Sequence, residues 1–185
     1  MRKITYGMLV SLDGYVAGPE GGPQLPPPDE MLHRYFNDIV KRLSTSLYGR
    51  RMYEIMRAWD TWDQNPGASD IEVEFARAWQ KVEKVVFSTT LTEVGPNARL
   101  VRGDVEAAVS ALKAEPGGDM EVAGPTLAAS FSRLGLIDEY RLYVQPVVLG
   151  GGKPFFAVGS VPELALLGTE NLASGVVLLC YGRGS

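Results

Sequence analysis

The sequence is poor in the residues that metal and disulfide chemistry need. It contains one cysteine, Cys180, and one histidine, His33, in 185 residues. A single thiol excludes an intrachain disulfide and a multi-cysteine metal centre, and it fits a reducing compartment. A single imidazole excludes histidine-based zinc sites and obliges any serine or cysteine triad to use His33. No metal is expected. An excess of one charge is also missing: 18 Lys and Arg, scattered along the chain, stand against 22 Asp and Glu, for a net charge of -4. That balance argues against nucleic-acid and acidic-membrane binding. No apolar run approaches the ~20 residues that a bilayer span requires. The start, Met1-Arg2-Lys3-Ile4, leads straight into a strand pattern without the apolar core of a secretory signal, so a cytoplasmic protein is expected. G-x-S-x-G, HExxH and Walker A patterns are absent.

What is present alternates. A strand pattern runs over Ile4 to Val10, followed by an Asp13-Gly14 turn and a short run, Tyr15-Val16-Ala17. Gly18 to Pro28 holds three glycines and five prolines, which excludes regular structure and leaves a functional lid or a linker. From Asp29 the spacing of Leu32, Tyr35, Phe36, Ile39, Val40 and Leu43 predicts a helix that packs on the sheet. Leu47-Tyr48 reads as a buried strand and Arg50 to Arg57 as the helix after it. Trp59 to Asp70 reads as loop, Ile71 to Gln80 as helix, and Lys84 to Ser88 and Leu100-Val101 as strands. Asp104 to Ala114 reads as another helix. Met120 to Ala123, the Gly124-Pro125-Thr126 turn and Leu127 to Leu134 repeat the strand-turn-helix unit, which Gly135 stops. Tyr140 to Val148 is a long strand, and Leu164 to Thr169 with Val176 to Tyr181 forms a hairpin around Ser174-Gly175. The length fits one domain over 1–185, an α/β fold whose mostly parallel sheet ends in antiparallel strands.

In open parallel sheets, ligands bind beyond the carboxyl ends of the strands, where helix starts and glycine turns present N–H groups. Three strand ends carry suitable residues: Gly49-Arg50-Arg51, Ser88-Thr89-Thr90 and Gly124-Pro125-Thr126. Each alone also reads as a solvated face, a turn or a steric glycine. In combination they could hold a phosphorylated cofactor.

Four motifs in order then resemble a family. Ser11-Leu12-Asp13-Gly14-Tyr15-Val16-Ala17, Leu47-Tyr48-Gly49-Arg50, Val86-Phe87-Ser88, and Gly135-Leu136-Ile137-Asp138-Glu139 running into Gln145-Pro146-Val147-Val148-Leu149-Gly150-Gly151-Gly152 look like the dihydrofolate reductase superfamily. The nearer branch is the C-terminal reductase domain of the bifunctional riboflavin-biosynthesis deaminase-reductase, here in stand-alone form, because the deaminase signature H-x-E with P-C-x-x-C is absent. The resemblance implies a three-layer α/β/α fold. It also implies hydride transfer from NADPH to a small heterocyclic substrate such as a ribosyl-aminopyrimidine, and a homodimer built on apolar residues of the terminal hairpin.

Residue by residue, the resemblance places Arg50, Arg51, Ser88 and Thr89 at the adenosine 2'-phosphate, with Gly49 leading them, and Arg102 beside the adenine. Gly124, Pro125, Thr126 and Leu127 fall beneath the pyrophosphate, and Val16 and Ala17 face the nicotinamide. Gln145 matches a position facing the substrate, near Phe36. Gly124-Pro125 replaces the two glycines that dihydrofolate reductases join by a cis peptide, and a cis bond is expected because proline lowers its cost. His33 stands where those enzymes keep the carboxylate that protonates the pterin, which disfavours folate reduction. Asp29, His33 and Phe36 share one flank at i, i+4 and i+7. A carboxylate-imidazole proton donor is one reading of that flank. A helix cap at Asp29 and a solvated His33 is the other. Trp59, Trp62 and Tyr53 read as core or cleft rim. A protein that keeps the cofactor pocket without turnover would show the same motifs.

Overall fold

The computed structural model of the protein describes residues 1–20, 24–157, 159 and 163–184. Ten strands and five helices follow in the order β1 (Ile4–Ser11), β2 (Tyr15–Ala17), α1 (Glu30–Arg42), β3 (Thr45–Gly49), α2 (Arg50–Met56), α3 (Asp70–Lys81), β4 (Glu83–Phe87), β5 (Ala98–Val101), α4 (Val105–Ala114), β6 (Met120–Ala123), α5 (Pro125–Arg133), β7 (Glu139–Gln145), β8 (Lys153–Pro154), β9 (Leu164–Asn171) and β10 (Val177–Arg183). Eight of the strands form one sheet in the order β5-β4-β3-β6-β1-β7-β10-β9, and β2 pairs with β8. The β1–β7, β3–β4 and β4–β5 pairs are parallel, and β7–β10 and β10–β9 are antiparallel. This is the α/β architecture with an antiparallel end that the alternation of patterns predicts.

The chain divides into two compact units, Met1–Arg2 with Glu30–Glu121, and Lys3–Asp29 with Val122–Ser185. In the first unit, β3 and β4 are buried on both faces, as parallel strands covered by helices are. Leu47, Val85 and Val86 are fully buried. Helix α3 begins at a capping box in which Ser69 and Glu72 satisfy each other's backbone N–H groups. Its Trp79 is buried and donates its indole N–H to the Tyr48 hydroxyl at 2.9 Å. Lys84 is buried over the Trp79 ring, 4.1 Å from its centre, and donates to the Gln80 carbonyl at 3.1 Å. Burial disfavours its charged form and holds its pKa below the usual lysine value. Two short 3-10 turns, Arg57–Asp60 and Trp62–Gln64, occupy part of the stretch expected as loop. There Trp59 packs on Phe75 with ring centres 4.6 Å apart. Tyr53 is buried and accepts the Gly95 N–H at 2.6 Å, which makes it core.

In the second unit, β7 ends at Gln145, three residues short of the expected strand, because Pro146 has no N–H to continue the ladder. β9 and β10 form the expected terminal hairpin, turned through Ser174 and Gly175, both with positive φ. Helix α5 starts at Pro125 rather than Leu127. The expected cis bond before Pro125 is not there, since the peptide is trans. The reason is local. Proline at the first position of a helix already has the φ that the helix needs, and Gly124, at φ 95°, makes the sharp entry by itself.

Arg2 ties the end of the chain into the first unit. It is buried and donates to Gly118 O at 2.7 Å, Ser44 Oγ at 2.7 Å, Thr45 Oγ1 at 2.5 Å and Leu112 O at 3.3 Å. Replacing it with methionine strips these acceptors of a charged donor inside the protein. Arg2→Met is expected to cost about 2–4 kcal/mol in urea unfolding, and a change near zero would show that the network contributes nothing.

Candidate functional site

The residues expected to hold a cofactor and substrate fall in both units, and each set has its own geometry. In the first unit, Gly49 leads α2 with extended backbone, and the helix start has no side-chain cap and no acidic residue in its first turn. Arg50 and Arg51 follow, exposed and without an ion-pair partner among the described residues. Two uncommitted guanidiniums suit a phosphate better than a protein carboxylate already in place. Beyond β4, the Ser88 hydroxyl accepts the N–H groups of Thr90 at 3.2 Å and Leu91 at 3.1 Å, which bends the chain sharply. Arg102 donates to the carbonyls of Thr89, at 3.0 Å, and Leu91. Arg102 is exposed and braces the loop that presents Ser88 and Thr89.

His33 and Phe36 lie half-buried on α1. His33 Nδ1 is 3.1 Å from the Asn37 side-chain oxygen, and its ring meets Phe75 edge-on at 5.7 Å. Asn37 is fully buried and spends its amide nitrogen on Ile71 O at 3.0 Å and Glu74 Oε2 at 2.9 Å. Its oxygen must then face the imidazole, which puts the proton of neutral His33 on Nδ1 and the lone pair on Nε2. Such a histidine donates a proton from Nε2 only when doubly protonated.

In the second unit, Val16 and Ala17 lie on β2, which pairs with β8. Gly124 leads α5, whose start likewise has neither a side-chain cap nor an acidic residue in its first turn. The N–H groups beyond Gly124, in the first turn that holds Thr126 and Leu127, are therefore open to an anion. Lys153, which the sequence motifs did not single out, extends from β8 and donates to Thr126 Oγ1 at 2.9 Å. It adds a positive charge at the same helix start. Asp29 accepts a hydrogen bond from the Ser174 hydroxyl. Gln145 is buried at the end of β7, and its amide nitrogen donates to Pro26 O at 2.9 Å. Residues 21–23 of the Gly18 to Pro28 segment lie outside the described residues.

A second residue, read from the sequence as half of a turn and as part of the first family motif but not as a site residue, organises this half. The Asp13 carboxylate accepts the N–H groups of Leu149, at 3.1 Å, and Gly150, at 2.7 Å. Those two bonds fix the start of the triple-glycine loop. The loop then passes so close to β2 that a side chain on Gly152 would put its Cβ 2.1 Å from Ala17 O. Hydrogen bonds from Ser11 and from the Leu149 backbone hold the Asp13 carboxyl below the usual carboxylate range. A lowered pKa in the folded state gives stability that is complete above the unfolded Asp value of about 3.9 and is lost as pH falls through the folded value. Asp13→Asn is therefore expected to lower Tm at neutral pH, with the deficit against wild type shrinking below about pH 4. Equal deficits at both ends of a pH series of melting curves would sink this account. Gly152→Ala should destabilise by about 2–4 kcal/mol in urea unfolding, from backbone collision and strain at φ 129°.

The family model described as RibD C-terminal domain matches residues 2–178. The Uncharacterized protein YyaP of Bacillus subtilis (strain 168) is 33% identical over 184 residues, covering 97% of this chain and 94% of its own length. A putative riboflavin biosynthesis protein from Shewanella sp. PV-4 superposes with a TM-score of 0.75 at 23% identity, over 100% of both chains. Dihydrofolate reductase from Enterococcus faecalis, solved with NADP(H), superposes with a TM-score of 0.66 at 13% identity, over 99% of this chain and 97% of that one. The last two likenesses establish the dihydrofolate-reductase-like fold, and with a family model spanning nearly its whole length, the chain belongs to the RibD C-terminal domain family.

Proposed function

We propose that the chain is an NADPH-dependent reductase, one domain over 1–185, acting on a small heterocycle similar to the ribosyl-aminopyrimidine of riboflavin biosynthesis. The observation that carries the reading is the pair Arg50 and Arg51, charged, exposed and free of carboxylates where α2 follows β3. A fixed cation pair recognises the dianion that distinguishes NADPH from NADH. The residues fit the cofactor elsewhere too. The uncapped start of α5 suits a pyrophosphate, with Lys153 supplying a countercharge. When bound, the cofactor supplies the hydride.

The chain's own residues then bind and orient. Arg50 and Arg51, with Ser88 and Thr89, would hold the 2'-phosphate, and Arg102 would stand beside the adenine. Gly124, Pro125, Thr126 and Leu127 seat the pyrophosphate. Val16 and Ala17 would face the nicotinamide, and Phe36 in the first unit and Gln145 in the second are each offered as a substrate contact. Alignment of donor and acceptor supplies most of what hydride transfer needs. Protonation of the reduced atom falls to Asp29 or to doubly protonated His33. Exposed Leu166 and Leu167 of β9 provide the contact of a homodimer.

Titration of tryptophan fluorescence with NADPH and NADH tests the reading. Wild type is expected to prefer NADPH by tenfold or more, and Arg50→Ala to lose most of that preference while still binding NADH. Failure of both nucleotides to bind at millimolar concentration would remove the cofactor and the reductase assignment together.

A further inference from the structure

Strands β3 and β4 pair side by side to a last rung, Gly49 with Phe87, and both chains then leave the sheet. One enters α2 with Arg50 and Arg51, and the other enters the loop 88–97 with Ser88 and Thr89. The loop is braced at both ends. Arg102 holds its start through the Thr89 and Leu91 carbonyls. The Asn97 side chain holds its end by donating to the carbonyls of Gln80, Lys81 and Val82, at 3.3, 3.1 and 2.9 Å, where α3 finishes. Those bonds go to the loop and to α3. The link to α2 is Tyr53, a buried residue of that helix whose hydroxyl oxygen accepts the Gly95 N–H at 2.6 Å. Gly95 sits so close that a Cβ there would lie 3.2 Å from the Tyr53 hydroxyl and 3.0 Å from Asp60 Oδ2, on the 3-10 turn after α2. Gly95 is not among the glycines with positive φ, so a larger residue would offend by crowding and not by backbone strain.

We propose that Tyr53 and Gly95 are positioning residues for cofactor discrimination: their contact sets the separation of the Arg50 and Arg51 pair from the Ser88 and Thr89 hydroxyls, and through it the preference for NADPH over NADH. The inference rests on the reading of those four residues as the 2'-phosphate site. With 1% of its surface exposed, Tyr53 has nothing to offer a cofactor directly, and it acts through α2. Charge-assisted hydrogen bonds depend steeply on distance and direction. Groups on two separate elements therefore converge on one phosphate only while the elements are held at a fixed spacing. Freeing α2 from the loop weakens the contacts to the 2'-phosphate and spares those to the part of the dinucleotide that NADPH and NADH share. The effect appears in the ratio of the two affinities.

The test is calorimetric titration of the full chain with NADPH and with NADH. Three proteins are compared: wild type, Tyr53→Phe, which keeps the ring and removes the acceptor, and Gly95→Ala, which keeps the acceptor and crowds it. Each variant is expected to lose about fivefold of the NADPH-over-NADH ratio while its NADH affinity stays within about twofold of wild type. On an Arg50→Ala background, Tyr53→Phe is expected to leave the remaining ratio where it is, because residues that act through one another do not add. A ratio equal to that of wild type in either folded variant overturns the inference. So does an equal loss of affinity for both nucleotides, the mark of general loosening, and so does a further loss of about fivefold on the Arg50→Ala background. In each of these cases a wild type that prefers NADPH leaves the reductase reading standing. A wild type that binds the two nucleotides alike, or neither, removes the 2'-phosphate site and this inference with it.

Discussion

The second unit depends on how two parallel strands are allowed to stop. β1 and β7 run in register to Ser11 and Gln145. There Pro146 removes the donor that the next rung would need. The backbone polar groups beyond that point must find other partners. Leu12 N–H reaches Val147 O at 2.8 Å, Val147 N–H turns back to Gln145 O at 2.8 Å, and the Asp13 carboxylate takes the N–H groups of Leu149 and Gly150. Everything downstream follows from that transfer. Once Gly150 is pinned, the loop turns back through Gly151 and Gly152, both at positive φ. β8 then lies on β2, and Phe155 N–H closes on Gly14 O at 3.0 Å. Phe155 in turn stacks on the buried Tyr6 ring with centres 4.2 Å apart. One carboxylate therefore converts the end of a sheet into a scaffold for Val16, Ala17 and Lys153.

The order of strands and helices was legible in the sequence because each element carries its own period. Buried parallel strands show short apolar runs, such as Val85 to Phe87, and helix α3 shows an apolar face over Ile71 to Gln80, whereas its Ser69–Glu72 capping box was not read from the sequence. What was not legible is what depends on distant pairing. β8 spans only Lys153 and Pro154 and exists because β2 lies beside it, so no local pattern could reveal it. Asp13 reads as half of an Asp-Gly turn, which it is, while its two acceptor bonds reach residues 136 and 137 positions away. The Lys153 contact with Thr126 bridges 27 residues, and nothing in a window around either one signals it. The cis expectation at Gly124-Pro125 failed for a different reason. It carried a double-glycine geometry onto a proline that the helix start accepts in the trans form.

The proton side of the chemistry shows how local context narrows a motif. His33 was one candidate among several readings of a helix flank. Asn37, one turn later, has its amide nitrogen taken by Ile71 O and Glu74. That commitment passes through Asn37 Oδ1 to the imidazole and decides which nitrogen carries hydrogen. A residue type that could act as acid or base in the abstract thereby acquires a defined tautomer from a neighbour that touches no ligand. The sequence shows the i, i+4 spacing of His33 and Asn37. The direction of the amide becomes visible only once α3 is packed against α1.

Family membership constrains the two ends of the proposed reaction unequally, and the reason is physical. A phosphate is met by backbone N–H groups at helix starts, by glycines that allow close approach and by arginines, all features that the fold itself positions. A heterocycle is met by individual side chains, whose identity can change without disturbing a strand. Gln145 illustrates the second kind. Its backbone obeys the β7 ladder whatever the side chain, while the amide direction is fixed by Pro26. Fold thus follows from architecture, whereas substrate choice is left to individual side chains that the fold does not dictate.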